Sequence, residues 1–472
     1  MLQNSSPALI RHALALAALV GFFFLIGQST PAFARDGALL VNPRQQTTPK
    51  PKPKKVETRK APAAAQPAKT TRKKATTPRS ATRKSTRRKT RARAPRETAP
   101  SGNPPAGETR FVADEVIVRY RLAAAQPAMD ALVRRLNLRH IEGRTFALAG
   151  ITVHRYAIID GSPVTTVIAA LEADATVVYA QPNYLYELAQ AAAAASGGPQ
   201  YALAKMAIDA AQAVTTGKDV PVAVIDSAID VTHPELEAAS VETADVTGSK
   251  PEPHQHGSTI AALIASHGTL RGIAPDVKML GIAAFDFDAD TGAVNSSSWR
   301  VAAAIDHAHR WGARLVNMSF AGPQDPLIAR SVAGMGRRGM IAVAAAGNAG
   351  PDAPPLFPAA YAGVIAVTAT DRDDAVFARA NRGHYVALAA PGVEILGIAP
   401  GGRYVVSSGT SLAAAHISGL AALLLGRAKH LTATELLDAL TTSAHDLGDP
   451  GVDPVYGAGL PDASSAISRF GS

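Results

Sequence analysis

Short apolar runs alternating with helix-like stretches constrain this chain more than any other feature. Val220 to Ile225, Lys278 to Ala283, Leu315 to Ser319, Met340 to Ala346, Gly363 to Thr368 and Tyr385 to Ala389 each have the length of a buried strand. Helical stretches at Ser298 to Arg310 and Pro326 to Arg337 separate some of them. Strands without polar alternation have no face to offer water, so the pattern predicts an α/β fold with a mainly parallel sheet covered by helices on both faces.

Three residues stand at unusual places in that frame. Asp226 ends the first run, and in an open α/β sheet the carboxyl ends of the strands line the ligand crevice. His256 opens a stretch in which Ile260, Leu263 and Ile264 have the spacing of a buried helix face. Ser411 follows Gly409-Thr410 and feeds into Leu412 to Gly426, a strong helix former whose N-terminus favours developing negative charge. A serine hydroxyl is a poor nucleophile until a base takes its proton. Singly, each residue also reads as a strand cap, a helix-start histidine or a helix cap; together, all three require a coincidence.

The order is Asp, His, Ser, 30 and 155 residues apart. With Asp226-Ser227-Ala228, His256-Gly257-Ser258, Gly409-Thr410-Ser411-Leu412-Ala413-Ala414-Ala415 and Ala344-Ala345-Ala346-Gly347-Asn348-Ala349-Gly350, the chain resembles the subtilisin-like serine protease family over about residues 200 to 465. The resemblance implies a serine endopeptidase that hydrolyses peptide bonds through an acyl-enzyme. His256 would take the Ser411 proton and return it to the leaving amine, with Asp226 holding the imidazole. Asn348 and the Ser411 backbone N–H would bind the oxyanion. Ser319, Phe320, Ala321 and Gly322 resemble the family's substrate-pairing strand. Ala345, Ala346 and Gly347 would form one wall of the pocket for the residue before the cleaved bond. Ala228, Leu412 and Ala415 replace the family's Gly, Met and Pro without removing a catalytic group.

Upstream, the chain changes character three times. Residues 1–34 read as a signal peptide: Arg11, an apolar run from Ala13 to Ile26, then Ala32-Phe33-Ala34 as a cleavage site, which predicts export to the periplasm or the outside. Residues 35–108 are rich in Lys, Arg, Pro, Thr and Ala and predict a linker without a core. From Lys50 to Arg96 nineteen basic residues face one acid, Glu57, a net +18. The whole chain carries +10, so the remainder carries −8, and the high isoelectric point gives no reason to expect a specific nucleic-acid partner. The linker is either a solvated tether or a contact to anionic cell-surface material.

Residues 109–190 read as a small α+β domain, β-α-β-β-α-β and ferredoxin-like if Thr145 to Leu148 is the missing strand. Its end, Val178-Tyr179-Ala180-Gln181-Pro182-Asn183-Tyr184, resembles the inhibitory propeptide of many subtilisin-like enzymes. That implies a partner within the chain, its own propeptide, cut off by the enzyme between Ala189 and Tyr201, ahead of a catalytic domain spanning 191–472. The other partner implied is a protein or peptide substrate.

No cofactor is expected. Gly334-Met335-Gly336-Arg337-Arg338-Gly339 matches a dinucleotide fingerprint but follows a helix and precedes a strand, the reverse of the required context. Cysteine is absent, which removes disulfides, and the His-x-His pairs at 254/256 and 307/309 do not make a zinc set. Asp286, Asp288 and Asp290 read as a solvated acidic loop, since Ser297 stands where a calcium loop needs Glu; structural calcium, common in the family, has no site assigned by the sequence. The competing function is an inert subtilisin-fold module that binds through its basic linker.

Overall fold

The computed structural model describes residues 101–189, 191–192, 200–287 and 293–471, all within one compact unit. The signal peptide, the basic segment up to residue 100, most of the expected cleavage stretch, and Asp288 and Asp290 lie outside the described residues.

The N-terminal unit runs β1 (Phe111–Tyr120), α1 (Gln126–Arg135), β2 (Leu138–Phe146), β3 (Ile151–Ile158), α2 (Val164–Glu172) and β4 (Val177–Leu188). Its antiparallel sheet has the order β4-β1-β3-β2, the ferredoxin-like arrangement. The second strand differs from the sequence expectation: it occupies Leu138–Phe146, and Thr145 and Phe146 are only its end. The two helices cover one sheet face through Leu132, Val164, Val167, Ile168 and Leu171, while the other face carries Ile117, Phe146, Ile151 and Val153 into a different core.

After β5 (Ala191–Ala192) and the short helices α3 (Tyr201–Lys205) and α4 (Ile208–Gln212), the larger sheet begins. Its elements are β6 (Pro221–Ser227), β7 (Val241–Asp245), α5 (Gln255–Ala265), β8 (Lys278–Phe287), β9 (Val294–Ser297), α6 (Ser298–Trp311), β10 (Leu315–Met318), β11 (Phe320–Ala321), α7 (Pro326–Arg337), β12 (Ile341–Ala345), β13 (Val364–Thr370), β14 (Val386–Pro391), β15 (Ile395–Ala399), β16 (Arg403–Ser408) and α8 (Thr410–Arg427). Strands β14-β13-β12-β10-β6-β8-β7 pair in parallel. In β6 successive side chains alternate faces: Val222 and Val224 join α5 and α8, Ala223 and Ile225 join α6 and α7. Both faces are therefore dry, which is why these strands carry no polar alternation. Helix α8 is the only one among the described residues long and apolar enough to cross a membrane, and it is buried through almost its whole length as the central core helix.

The outer face of the N-terminal sheet packs on α6 and α7, sharing one apolar cluster with them. Phe146 meets Trp299 edge to face at 5.2 Å, and the Arg155 guanidinium lies 5.5 Å from the Trp299 ring centre. Asp306, buried on α6, accepts the backbone N–H groups of Ala147 (3.1 Å) and Leu148 (3.0 Å). Gly334 on α7 lets Leu148 come close; a Cβ there would meet the Leu148 carbonyl oxygen at 2.1 Å.

Gln181 and Asn183 each cap one of these helices. The Gln181 side-chain oxygen accepts from Leu327 N at 3.1 Å, and the Asn183 side-chain oxygen from Trp299 N at 3.2 Å. Free N–H groups at the first turn of a helix need such acceptors, so the Gln-x-Asn spacing across Pro182 fits the gap between two helix ends.

Candidate active site

The end of β6 delivers Asp226, fully buried, and the first turn of α5 delivers His256. His256 Nδ1 lies 2.7 Å from Asp226 Oδ1, which also accepts from Ser227 N at 2.7 Å and the Ser227 hydroxyl at 3.1 Å. His254 caps α5 by accepting from His256 N at 3.2 Å, and burial holds its own pKa below the usual histidine value. The Ser227 hydroxyl accepts from Gly257 N at 3.0 Å, tying the strand end to the helix start. Ala228 does not adopt a left-handed backbone, so replacing glycine there brings no backbone strain.

Ser411 lies in the first turn of α8 and is buried. Its hydroxyl donates to the carbonyl oxygen of Ala189 at 2.6 Å, and its backbone N–H approaches the same oxygen at 3.4 Å. His256 Nε2 is buried without a hydrogen-bond partner among the described residues, and the Ser411 hydroxyl bonds Ala189 rather than the histidine. Asn348 Oδ1 accepts from Thr410 N (3.1 Å) and the Thr410 hydroxyl (2.9 Å). That fixes the amide and leaves Asn348 Nδ2 buried and without a hydrogen-bond partner among the described residues, beside the serine turn. The sequence did not single out Thr410, although it stands inside the Gly-Thr-Ser motif.

Ala189 reaches Ser411 because β4 continues into the cleft as an extended segment held on both sides. On one side Leu185, Tyr186 and Glu187 pair with Ser297, Ser296 and Asn295 of β9; on the other Leu188 and Glu187 pair with Phe320 and Ala321 of β11. Ala189 N donates to Ser319 O at 3.3 Å. Past the serine, Ala191 and Ala192 of β5 pair with Ser408 and Ser407 of β16. Of the four residues expected to pair with substrate, Ser319, Phe320 and Ala321 pair here with the chain's own segment Glu187 to Ala189; Gly322 instead pairs with Phe357 and lies against the Tyr186 ring. Ala345, Ala346 and Gly347 are buried at the end of β12, where Gly347 N donates to the Thr410 hydroxyl at 3.1 Å. Among the described residues no group of three or more His, Asp or Glu is arranged to hold a metal.

A mainly parallel α/β sheet thus brings an acid, a histidine and a serine toward its carboxyl end, where a strand of the N-terminal unit crosses. The family model of the subtilase family matches residues 217–459, and that of the fervidolysin N-terminal prodomain matches residues 97–183. The chain belongs to the subtilase family and is a subtilisin-like serine endopeptidase preceded by a fervidolysin-type prodomain. It is 31% identical over 313 residues to a thermophilic serine proteinase of Bacillus sp. (strain AK1), covering 64% of this chain and 76% of that one. It is 33% identical over 269 residues to subtilisin E of Bacillus subtilis (strain 168), covering 53% and 66%. The crystal structure of fervidolysin from Fervidobacterium pennivorans has the same fold, with a TM-score of 0.65 at 24% identity over 78% of this chain and 62% of that one.

Proposed function

We propose that the protein is an exported endopeptidase made as a self-processing precursor. In this reading Asp226, His256 and Ser411 form the catalytic triad, and Asn348 with the Ser411 N–H forms the oxyanion hole. The observation that carries it is the convergence of the Ser411 hydroxyl and backbone N–H on the carbonyl of Ala189. A carbonyl in that place is where attack by Ser411 would build a tetrahedral centre, so the bond after Ala189 is the one the enzyme cuts in itself. His256 takes the serine proton as the hydroxyl swings from the carbonyl oxygen to its carbon, and then returns it to the Gln190 amine.

The buried Asp226–His256 hydrogen bond supports the tautomer this needs, with Nδ1–H donating to the acid and Nε2 free to accept. The prodomain fills the non-primed side of the cleft through β4 and would remain there as an inhibitor after the cut. Export is supported by the signal-like N-terminus. A phosphonofluoridate probe tests the site: it should label Ser411 once per processed molecule and abolish peptide hydrolysis. An unlabelled, well-folded protein would instead favour an inert binding module.

A further inference from the structure

Tyr186 is the fourth residue on the acyl side of the proposed cut, counting Ala189 as the first, and it is fully buried. Its ring stands edge-on to Phe320 at 5.7 Å and 89°. Gly322 forms the opposite wall; a Cβ there would fall 2.5 Å from the ring. These contacts would suit any aromatic side chain. The phenol hydroxyl, however, donates to Asp325 Oδ2 at 3.1 Å, and Asp325 is also fully buried.

Asp325 is held in place independently of Tyr186. Its Oδ1 accepts from Leu327 N (2.8 Å) and Ile328 N (3.2 Å) as the N-cap of α7, and from the Gln181 side-chain amide at 2.9 Å. Its backbone N–H donates to the Tyr361 hydroxyl at 2.8 Å, and that hydroxyl donates to the Asp325 carbonyl at 2.9 Å. Burial raises the Asp325 pKa, opposed by hydrogen bonds from the Ser298 and Gln181 side chains. Burial also pushes the Tyr186 phenol well above its usual pKa, which keeps it a neutral donor.

We infer that Asp325 makes this subsite read a hydroxyl, so that the enzyme prefers substrates with tyrosine, over phenylalanine, four residues before the cleaved bond. The inference rests on the proposed reading of the cleft, in which a substrate follows the path of β4. Departure of the prodomain removes both the Tyr186 hydroxyl and the Gln181 amide from the carboxyl group. A phenylalanine entering the site would cover a buried carboxyl oxygen without giving it a partner, and an aspartate or glutamate would bring a like charge. Sites built to bond a hydroxyl reject the analogue lacking it more strongly than apolar pockets reject a size mismatch.

The test uses enzyme matured from the full chain and two coumarin amides, Tyr-Glu-Leu-Ala and Phe-Glu-Leu-Ala, which copy residues 186–189 with one atom changed. The Tyr peptide should have a kcat/KM about tenfold or more above the Phe peptide. Asp325→Asn keeps a helix-capping oxygen but loses the charge, and should bring the ratio below about threefold. Equal rates on the two peptides by the unsubstituted enzyme overturn the inference without touching the proteolytic reading, and they decide the matter even if the variant does not fold. A ratio unchanged in a folded Asp325→Asn enzyme overturns the role of Asp325. Hydrolysis of neither peptide, nor of any protein substrate, defeats the proposed cleft and this inference with it.

Discussion

Asp306→Asn should loosen the cut prodomain from the enzyme while leaving the chemistry intact. The Asp306 carboxylate accepts two prodomain N–H groups at 3.1 and 3.0 Å, with about 2% of its surface exposed. Hydrogen bonds to a charged group contribute about 1.5–3 kcal/mol each, and an unpaired buried N–H costs about 1–3 kcal/mol. Asparagine has one acceptor oxygen, so the variant weakens one bond by removing its charge and replaces the other with an NH₂ facing an N–H. The net loss is about 2–4 kcal/mol, or roughly 30- to 1,000-fold in the dissociation constant.

In the wild-type protein Arg310 lies 3.3 Å from the same carboxylate, so Asp306 keeps a partner once the prodomain leaves, and the free enzyme does not depend on the prodomain contact. The assay is the activity released on diluting the processed complex of the full chain, fitted for its dissociation constant, alongside kcat/KM on a short peptide after complete release. A shift below about threefold in the dissociation constant would refute the reasoning that this carboxylate anchors the prodomain.

Other outcomes follow from the same contacts. Gly334→Ala should weaken the prodomain complex, since its methyl would strike the Leu148 carbonyl, while the freed enzyme holds or slightly gains thermal stability because alanine favours helix; melting temperatures of free enzyme and complex separate the two effects. Asn348→Ala should lower kcat by about 10²- to 10³-fold with KM nearly unchanged, a size carried over from the matching asparagine of subtilisin itself, and steady-state kinetics checks it. His416 is buried and its Nδ1–H donates to the Pro391 carbonyl oxygen at 2.8 Å, with a pKa lowered to about 4 by burial. A depressed folded-state pKa gives stability that is complete above the unfolded value near 6.5 and is lost as pH falls toward 4, about 3 kcal/mol in all. Denaturant unfolding of His416→Gln against wild type between pH 7 and pH 4 should show the variant with the flatter acid limb.

Much of this arrangement is legible in the chain before any coordinates. The strand runs are unbroken apolar segments because both sheet faces are covered, and Asp226, His256 and Ser411 each interrupt or open an element at the crevice end. What escapes is whatever depends on contact between distant segments. Strand β4 reads as ending near Ala180, because Gln181-Pro182-Asn183 has neither apolar alternation nor strand propensity. It extends to Leu188 because β9 and β11 supply its hydrogen bonds.

β9 itself, Val294–Ser297, is too polar and short to announce a strand. Asp306 and Asp325 look like ordinary helix acids; only the prodomain, 158 and 144 residues away at Leu148 and Gln181, gives them a second role. From sequence, strand β2 reads as starting late, at Thr145, because charged residues in Leu138–Phe146 face solvent and mask its alternation.

The central claim is that Ser411 cuts this chain after Ala189. Intact-mass analysis of the full chain synthesised in a protease-free translation system tests it most directly. The account predicts a prodomain fragment ending at Ala189 and a new N-terminus at Gln190, with the Ser411→Ala chain remaining whole. A first fragment ending at any other residue, or normal processing of the Ser411→Ala chain, would contradict it.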